Sequence, residues 1–282
     1  MWWQRRGKND HRMFSPLGVL ATGETVGIDW AAPQNIALQG MTRSGKSAAT
    51  YAFLSTLVPH KECVKLVVLD PTGVLGAPVK SSEFTGTVSL GDDPRSALDS
   101  VVEVLDIVKQ RCADLVDSGQ DKRTEWTAEV PLVLLVLEEL PGIVDMLQDD
   151  DAVHGRKASE RLAPRFLSTI RQICAQGLKA GVVVLALAQR FDAAIITGAA
   201  RANFGVRCSL RVDDSDSVRM LFPSADSAVG TRLATVQPGR GFITAPGVDL
   251  QPVRMNHLSY EQYLENLGGM GVSPISRRGL GR

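Results

Sequence analysis

Short apolar runs separated by amphipathic stretches set the rhythm of this chain. Residues 63–69, Leu132–Leu137 and residues 182–188 are almost wholly apolar, as strands covered on both faces are. Asn35-Ile36-Ala37-Leu38-Gln39 predicts a shorter strand closing on Gly40, and residues 206–212 and 241–244 predict two more, the latter as the last strand. Between them, residues 47–57 carry apolar positions at helical spacing and stop before Pro59. Residues 96–115 place Leu98, Val101, Val102, Leu105, Val108 and Cys112 on one helical stripe, and residues 162–178 form a further helix. The polar segment 117–129 reads as a loop, and the acidic segment 145–160 as a mobile one. Ahead of all this, residues 17–28 center on Thr22-Gly23-Glu24 and predict a small β-hairpin. Apolar strands alternating with amphipathic helices mean an α/β fold, with a mostly parallel central sheet and helices on both faces.

Composition changes this picture little. The 282 residues carry 44% hydrophobic and 22% charged side chains with a formal net charge of zero, so one large domain with short appendages is expected. Zero charge does not favor a nucleic-acid partner, whose usual footprint is basic. Charge can be segregated, however, and Arg201, Arg207, Arg211 and Arg219 fall close together. Four scattered cysteines and four scattered histidines give no zinc spacing, disulfide framework or histidine site. The apolar runs are too short to span a bilayer. Residues 1–14 read as a flexible basic arm, 15–260 as the folded unit, and 261–282, rich in Gly, Ser and Arg, as a flexible tail.

The chemistry begins at Gly40-Met41-Thr42-Arg43-Ser44-Gly45-Lys46-Ser47, which matches G-x-x-x-x-G-K-[ST] between a strand and a helix. Gly40 and Gly45 permit backbone angles that turn several N–H groups onto one phosphate. The helix that follows adds its positive end. Lys46 reaches the β- and γ-phosphates and the Ser47 hydroxyl takes a place on Mg²⁺. The nucleotide-contacting set is therefore Gly40, Thr42, Arg43, Ser44, Gly45, Lys46, Ser47 and Ala48, with ATP and Mg²⁺ as the implied ligands.

Hydrolysis also needs an acid beside the metal and a base for water. Leu132–Leu137 delivers Glu138 and Glu139 at its C-terminal end, where open α/β sheets place ligands. Alternation along a strand would send the two to opposite sides, Glu138 to the metal and Glu139 to the water. Asp70 ends another apolar strand, as a supporting acid or as a turn residue before Pro71, and Gln189 follows residues 182–188 as a γ-phosphate sensor.

These residues, in this order, resemble the FtsK/SpoIIIE-type DNA translocase motors of the RecA-like P-loop ATPases. Residues 36–47 look like that family's Walker A segment and 132–139 like its Walker B segment, with Glu138 where Asp is common. Residues 65–71 resemble its intervening strand ending Asp-Pro, with Thr72 where a lysine is common, and residues 95–112 are similar to the helix that follows. Residues 180–190 look like its sensor strand, although Ala188 and Phe191 depart from the usual Thr-Gln-Arg-Pro. The stretch 196–207, then Leu210-Arg211-Val212 and Ser217-Val218-Arg219, belongs to no simple ATPase signature and discriminates this family; residues 238–242 resemble its late glycine-rich turn. The hairpin at 17–28 looks like that of compact actinobacterial plasmid and integrative-element transfer proteins.

The resemblance implies a hexameric ring that threads double-stranded DNA, with each nucleotide at a subunit interface. It implies an arginine supplied across that interface: Arg171, with Arg165 and Arg207 as runners-up. It also implies a bare cytoplasmic motor that reaches a membrane or transfer complex only through another protein. The alternative within the resemblance is an EccC-like ATPase driving protein export.

Overall fold

A computed structural model describes residues 13–90, 93–191 and 198–268. Ten strands and nine α-helices alternate through them. They run β1 (Phe14–Leu20), β2 (Thr25–Asp29), β3 (Ile36–Gln39), α1 (Lys46–Ser55), β4 (Val64–Asp70), α2 (Gly76–Lys80), β5 (Thr85–Leu90) and α3 (Pro94–Asp117). There follow β6 (Leu132–Leu137), α4 (Leu140–Val153), α5 (Leu162–Gln176), β7 (Val182–Ala188), α6 (Gly198–Ala202), β8 (Val206–Ser209), α7 (Ser215–Leu221) and α8 (Ser227–Thr235). The last elements are β9 (Arg240–Ala245), β10 (Val248–Met255) and α9 (Tyr260–Asn266).

One sheet holds all ten strands in the order β2-β1-β10-β9-β8-β3-β7-β6-β4-β5. The six from β8 to β5 pair in parallel, and the rest are antiparallel. Period-two alternation sorts the core into two layers. Val133, Leu135 and Leu137 with Val182, Val184 and Ala186 pack under α3, α4 and α5. Leu132, Leu134 and Val136 with Val183, Leu185 and Leu187 pack under α1 and its neighbors. Every residue of β6 is fully buried, which is why its sequence shows no alternation of polar and apolar.

The expected hairpin forms as β1 and β2, and β10 joins it to β9 and so to the sheet, with Gly18 opposite Met255. Three features depart from the pattern-based expectations. Strands β5 and β10 were not legible: β5 is Thr-Gly-Thr-Val-Ser-Leu at a sheet edge, and β10 contains Pro252. The segment 145–160 is not a loop, since α4 runs to Val153 and a 3₁₀ turn covers Ala158–Glu160. Its acidic run hides a helical stripe in which Ile143, Leu147 and Asp151 are buried at four-residue spacing. The tail expected from 261 starts with order, because α9 packs on α1: Tyr263 is fully buried, stacks on Tyr51 at 4.6 Å and donates to Leu75 O at 3.0 Å. The expected arm at 1–14 lies outside the described residues up to 12, and Phe14 already opens β1.

Candidate nucleotide site

The phosphate loop hangs from three neighboring strand ends at the carboxyl edge of the sheet. Gly40 N donates to Ala188 O at 3.1 Å, Met41 N to Arg211 O at 2.9 Å, and Leu210 N to Gln39 O at 2.9 Å. Arg43 and Gly45 adopt left-handed backbone angles, φ 64° and 96°. Glycine is demanded twice. A Cβ on Gly40 would stand 2.4 Å from Ser44 Oγ, and one on Gly45 would stand 2.6 Å from Gly239 N. Helix α1 starts at once, capped by no side chain and with no acid in its first turn. Its first N–H groups lack intrahelical partners, so the loop presents uncompensated donors and a positive dipole end to an anion. Ser44 Oγ is buried inside the loop without a partner among the described residues.

Opposite the loop, β6 ends at Leu137 and the chain turns sharply. Glu139 takes φ 57° at the residue before α4, and Pro141 stands in the first turn of that helix. The turn at Glu139 directs its carboxylate at the loop. Glu139 Oε2 accepts from Lys46 Nζ at 2.7 Å, and Oε1 accepts from Gln189 N at 3.0 Å. Glu138 N continues the ladder to Leu69 O at 2.9 Å. Its side chain is withdrawn from water, and burial raises its pKa to about 7, helped by Asp70 and Glu139 and opposed by Lys46. Strand alternation applies only as far as Glu138, because Glu139 leaves extended geometry with φ 57°. Glu138 and Glu139 both lie within the field of Lys46.

The other predicted residues are placed as follows. Ser47 is exposed on the first turn of α1, Thr42 and Arg43 are exposed on the loop, and Ala48 O accepts from Leu258 N at 3.1 Å. Gln189 joins the cluster through its backbone while its side chain stays exposed. Asp70 is fully occupied: Oδ1 accepts from Thr72 N and Oγ1, and Oδ2 from Leu75 N and Gly76 N, at 2.7–2.9 Å. It is a turn anchor whose charge is felt by Glu138. Arg171 and Arg165 are exposed on α5. Arg171 edges a cleft of about 560 Å³ with Arg161, Gln148 and Leu167, and no bond among the described residues joins it to Lys46 or Glu139. Arg207 is half-buried and donates to Leu221 O at 3.2 Å, while Arg201 donates to Met220 O at 2.7 Å. These two satisfy the last carbonyls of α7, so part of the arginine group that falls close together in the sequence is internal scaffolding.

Pattern reading gave no role to the Pro238-Gly239 turn against the loop or to Asp151. In the turn, Gly239 N donates to Ser44 O at 2.7 Å and Gly239 O accepts from Met255 N at 2.8 Å. Only the Pro-Gly pair itself signals a turn. No helix among the described residues is long and apolar enough to cross a membrane.

The FtsK/SpoIIIE family model matches residues 2–240. DNA translocase FtsK of Treponema pallidum (strain Nichols) is 23% identical over 228 residues, covering 77% of this chain and 27% of that protein. DNA translocase FtsK of Borreliella burgdorferi is 26% identical over 223 residues, again covering 77% and 27%. The chain thus spans about a quarter of the length of these relatives. Among solved structures, the pCW3 conjugation coupling protein TcpA, monomer form with ATPγS, superposes with TM-score 0.67 at 18% identity over 91% of this chain and 71% of that one. The cytoplasmic domain of the Thermomonospora curvata type VII secretion ATPase EccC gives 0.66 at 18% identity over 95% and 32%. Those likenesses establish the RecA-like P-loop fold, and the match over most of the sequence places this chain in the FtsK/SpoIIIE family.

Proposed function

We propose that the chain is an ATP-hydrolyzing motor that moves double-stranded DNA, working as a ring, in transfer or segregation of a chromosome, plasmid, integrative element or phage genome. The observation that carries this is the Lys46–Glu139 pair closing the mouth of a P-loop whose helix start is left uncapped. In that pair Lys46 is held where terminal phosphates would lie. Glu139 is held by Gln189 N and by Lys46 where it can take a proton from water. A triphosphate competes for Lys46 and frees Glu139 to act as the base, so the ion pair is a resting state that nucleotide undoes. Gln189, tied through its own N–H to Glu139, then reports whether the γ-phosphate is present.

The donor set suits Mg²⁺, which keeps several waters and takes one or two protein oxygens beside substrate phosphates. The exposed Ser47 hydroxyl and the Glu138 carboxylate would hold it, and Glu138 must be ionized to do so. When bound, the metal neutralizes charge on the β- and γ-phosphates. Arg171 on α5 is the proposed arginine that acts on the nucleotide of a neighboring subunit.

DNA as the substrate is supported by family membership and by relatives named DNA translocase. The protein-export alternative draws on the EccC likeness and on the zero net charge, but that likeness concerns fold. The chain is proposed to work in the cytoplasm, reaching a membrane or transfer complex through a partner. The test is ATP turnover with and without duplex DNA at low salt. Stimulation is expected, lost in Lys46→Ala and weakened steeply by added salt, since phosphate contacts release counterions. An assembled ring that hydrolyzes ATP without responding to DNA excludes the DNA reading.

A further inference from the structure

The topology gives the nucleotide a direction. Lys46 and Glu139 mark the γ-phosphate end, and Glu139 stands at the top of β6, beyond β7 on one flank of β3. A triphosphate laid across the loop from that end brings its nucleoside to the other flank, where β8 and β9 follow. There the turn before β9 touches the loop directly: Gly239 N bonds Ser44 O, and Gly45 has no room for a side chain against Gly239. This turn is rigidly tied, because Gly239 O also accepts from Met255 N.

Beside the turn lies a shallow cavity of about 380 Å³ lined by Arg232, Thr235, Val236, Gln237 and Arg240. That volume is in the range of small-ligand sites, about 300–1,000 Å³. Its polar groups match a nucleobase. Arg232 is held with its guanidinium 5.0 Å from the center of the Phe242 ring, and guanidinium planes stack on aromatic faces. Arg240 and Gln237 are exposed, and neither side chain has a hydrogen bond or ion pair among the described residues. A glutamine amide offers one donor and one acceptor side by side, as the edge of adenine requires.

The geometry points to a purine-nucleoside subsite formed by Gln237 and Arg240, which flank the turn that abuts the phosphate loop, together with Arg232 of α8. It rests on the nucleotide reading of that loop and goes beyond it by assigning the residues that recognize the base. Arg240 stacks on the purine and Gln237 reads its edge, while Arg232 is fixed by Phe242 as the wall behind them.

The test compares Mg²⁺-ATP with Mg²⁺-tripolyphosphate, which has the phosphates but no nucleoside, by calorimetric titration of the full chain. Wild type binds ATP more tightly than tripolyphosphate. Arg240→Ala and Gln237→Ala each weaken ATP by about tenfold, the loss of one desolvated cation–π or paired contact, and leave tripolyphosphate within about twofold. Retained tripolyphosphate binding shows that the variants are folded. Equal losses for both ligands overturn the subsite by making these residues part of the phosphate cradle, and unchanged ATP binding in both variants overturns it as well. A wild-type chain that binds neither ligand removes the nucleotide reading itself, and the subsite with it.

Discussion

Glu138 shows how much a single side chain can be asked to do. It sits where burial, Asp70 and Glu139 all disfavor its charge and only Lys46 favors it, so its pKa rises from 4.5 to about 7. A carboxyl with a raised folded-state pKa binds its proton more tightly in the folded chain than in the unfolded one. Its contribution to stability is therefore complete below about 4.5 and is lost as pH climbs through about 7. Glu138→Gln removes the titration while keeping the shape. Without nucleotide or metal, the melting temperature of the variant minus that of wild type is expected to be more positive at about pH 8 than at about pH 5.5. Scanning calorimetry at both values checks this, and a difference that is flat in pH contradicts the assignment. Glu139, the next residue, is turned by its left-handed backbone toward Lys46 and the Gln189 N–H.

At the scale of elements, the join between α4 and α5 is the instructive case. Helix α5 has no side-chain cap from its own flanking residue. Instead Asp151, on the last turn of α4, reaches across: Oδ1 accepts from Leu162 N at 2.8 Å and Oδ2 from Ala163 N at 3.1 Å. Arg156 pairs with both Asp150 and Asp151, closing the connection. A carboxylate at a helix N-terminus satisfies orphan donors and the dipole together. Asp151→Ala leaves those N–H groups buried and unpaired, at a cost of about 1–3 kcal/mol, or roughly 2–4 °C of melting temperature per kcal/mol in a chain of this size. The exposed neighbor Asp149→Ala is the control and stays within about 0.5 kcal/mol. Thermal melts of the two variants decide the matter, since equal shifts mean that Asp151 caps nothing. An acidic run that resembles a loop can therefore be the end of one helix and the start of the next.

For the whole molecule, the sheet order explains why one edge carries the chemistry. Strands β6, β7 and β3 lie side by side in parallel, so Glu139, Gln189 and the phosphate loop all emerge at the same carboxyl edge. Arg171 stands outside that cluster, as an arginine that serves a neighboring subunit would. Mixing experiments test this. Glu139→Gln and Arg171→Ala chains are each expected to be inactive alone as rings, and mixed rings to recover a fraction of the ATPase rate. In mixed rings some interfaces join an intact Glu139 to an intact Arg171. Mixtures no more active than the separate variants would place Arg171 outside the reaction.

The central strands and the phosphate loop were legible in the sequence because their physical requirements fall on contiguous residues. Burial on both faces writes an unbroken apolar run at Leu132–Leu137, and gripping one phosphate requires fixed residue types within eight positions from Gly40 to Ser47. Tertiary structure alone decided what depends on distant partners. Lys46 meets Glu139 across 93 positions, and Asn256 bonds the Pro16 carbonyl across 240. Gly239 lies against Gly45, and Asp151 caps a helix not its own. Such contacts leave no period and no local spacing in the chain, since each half is chemically ordinary until folding brings the other to it.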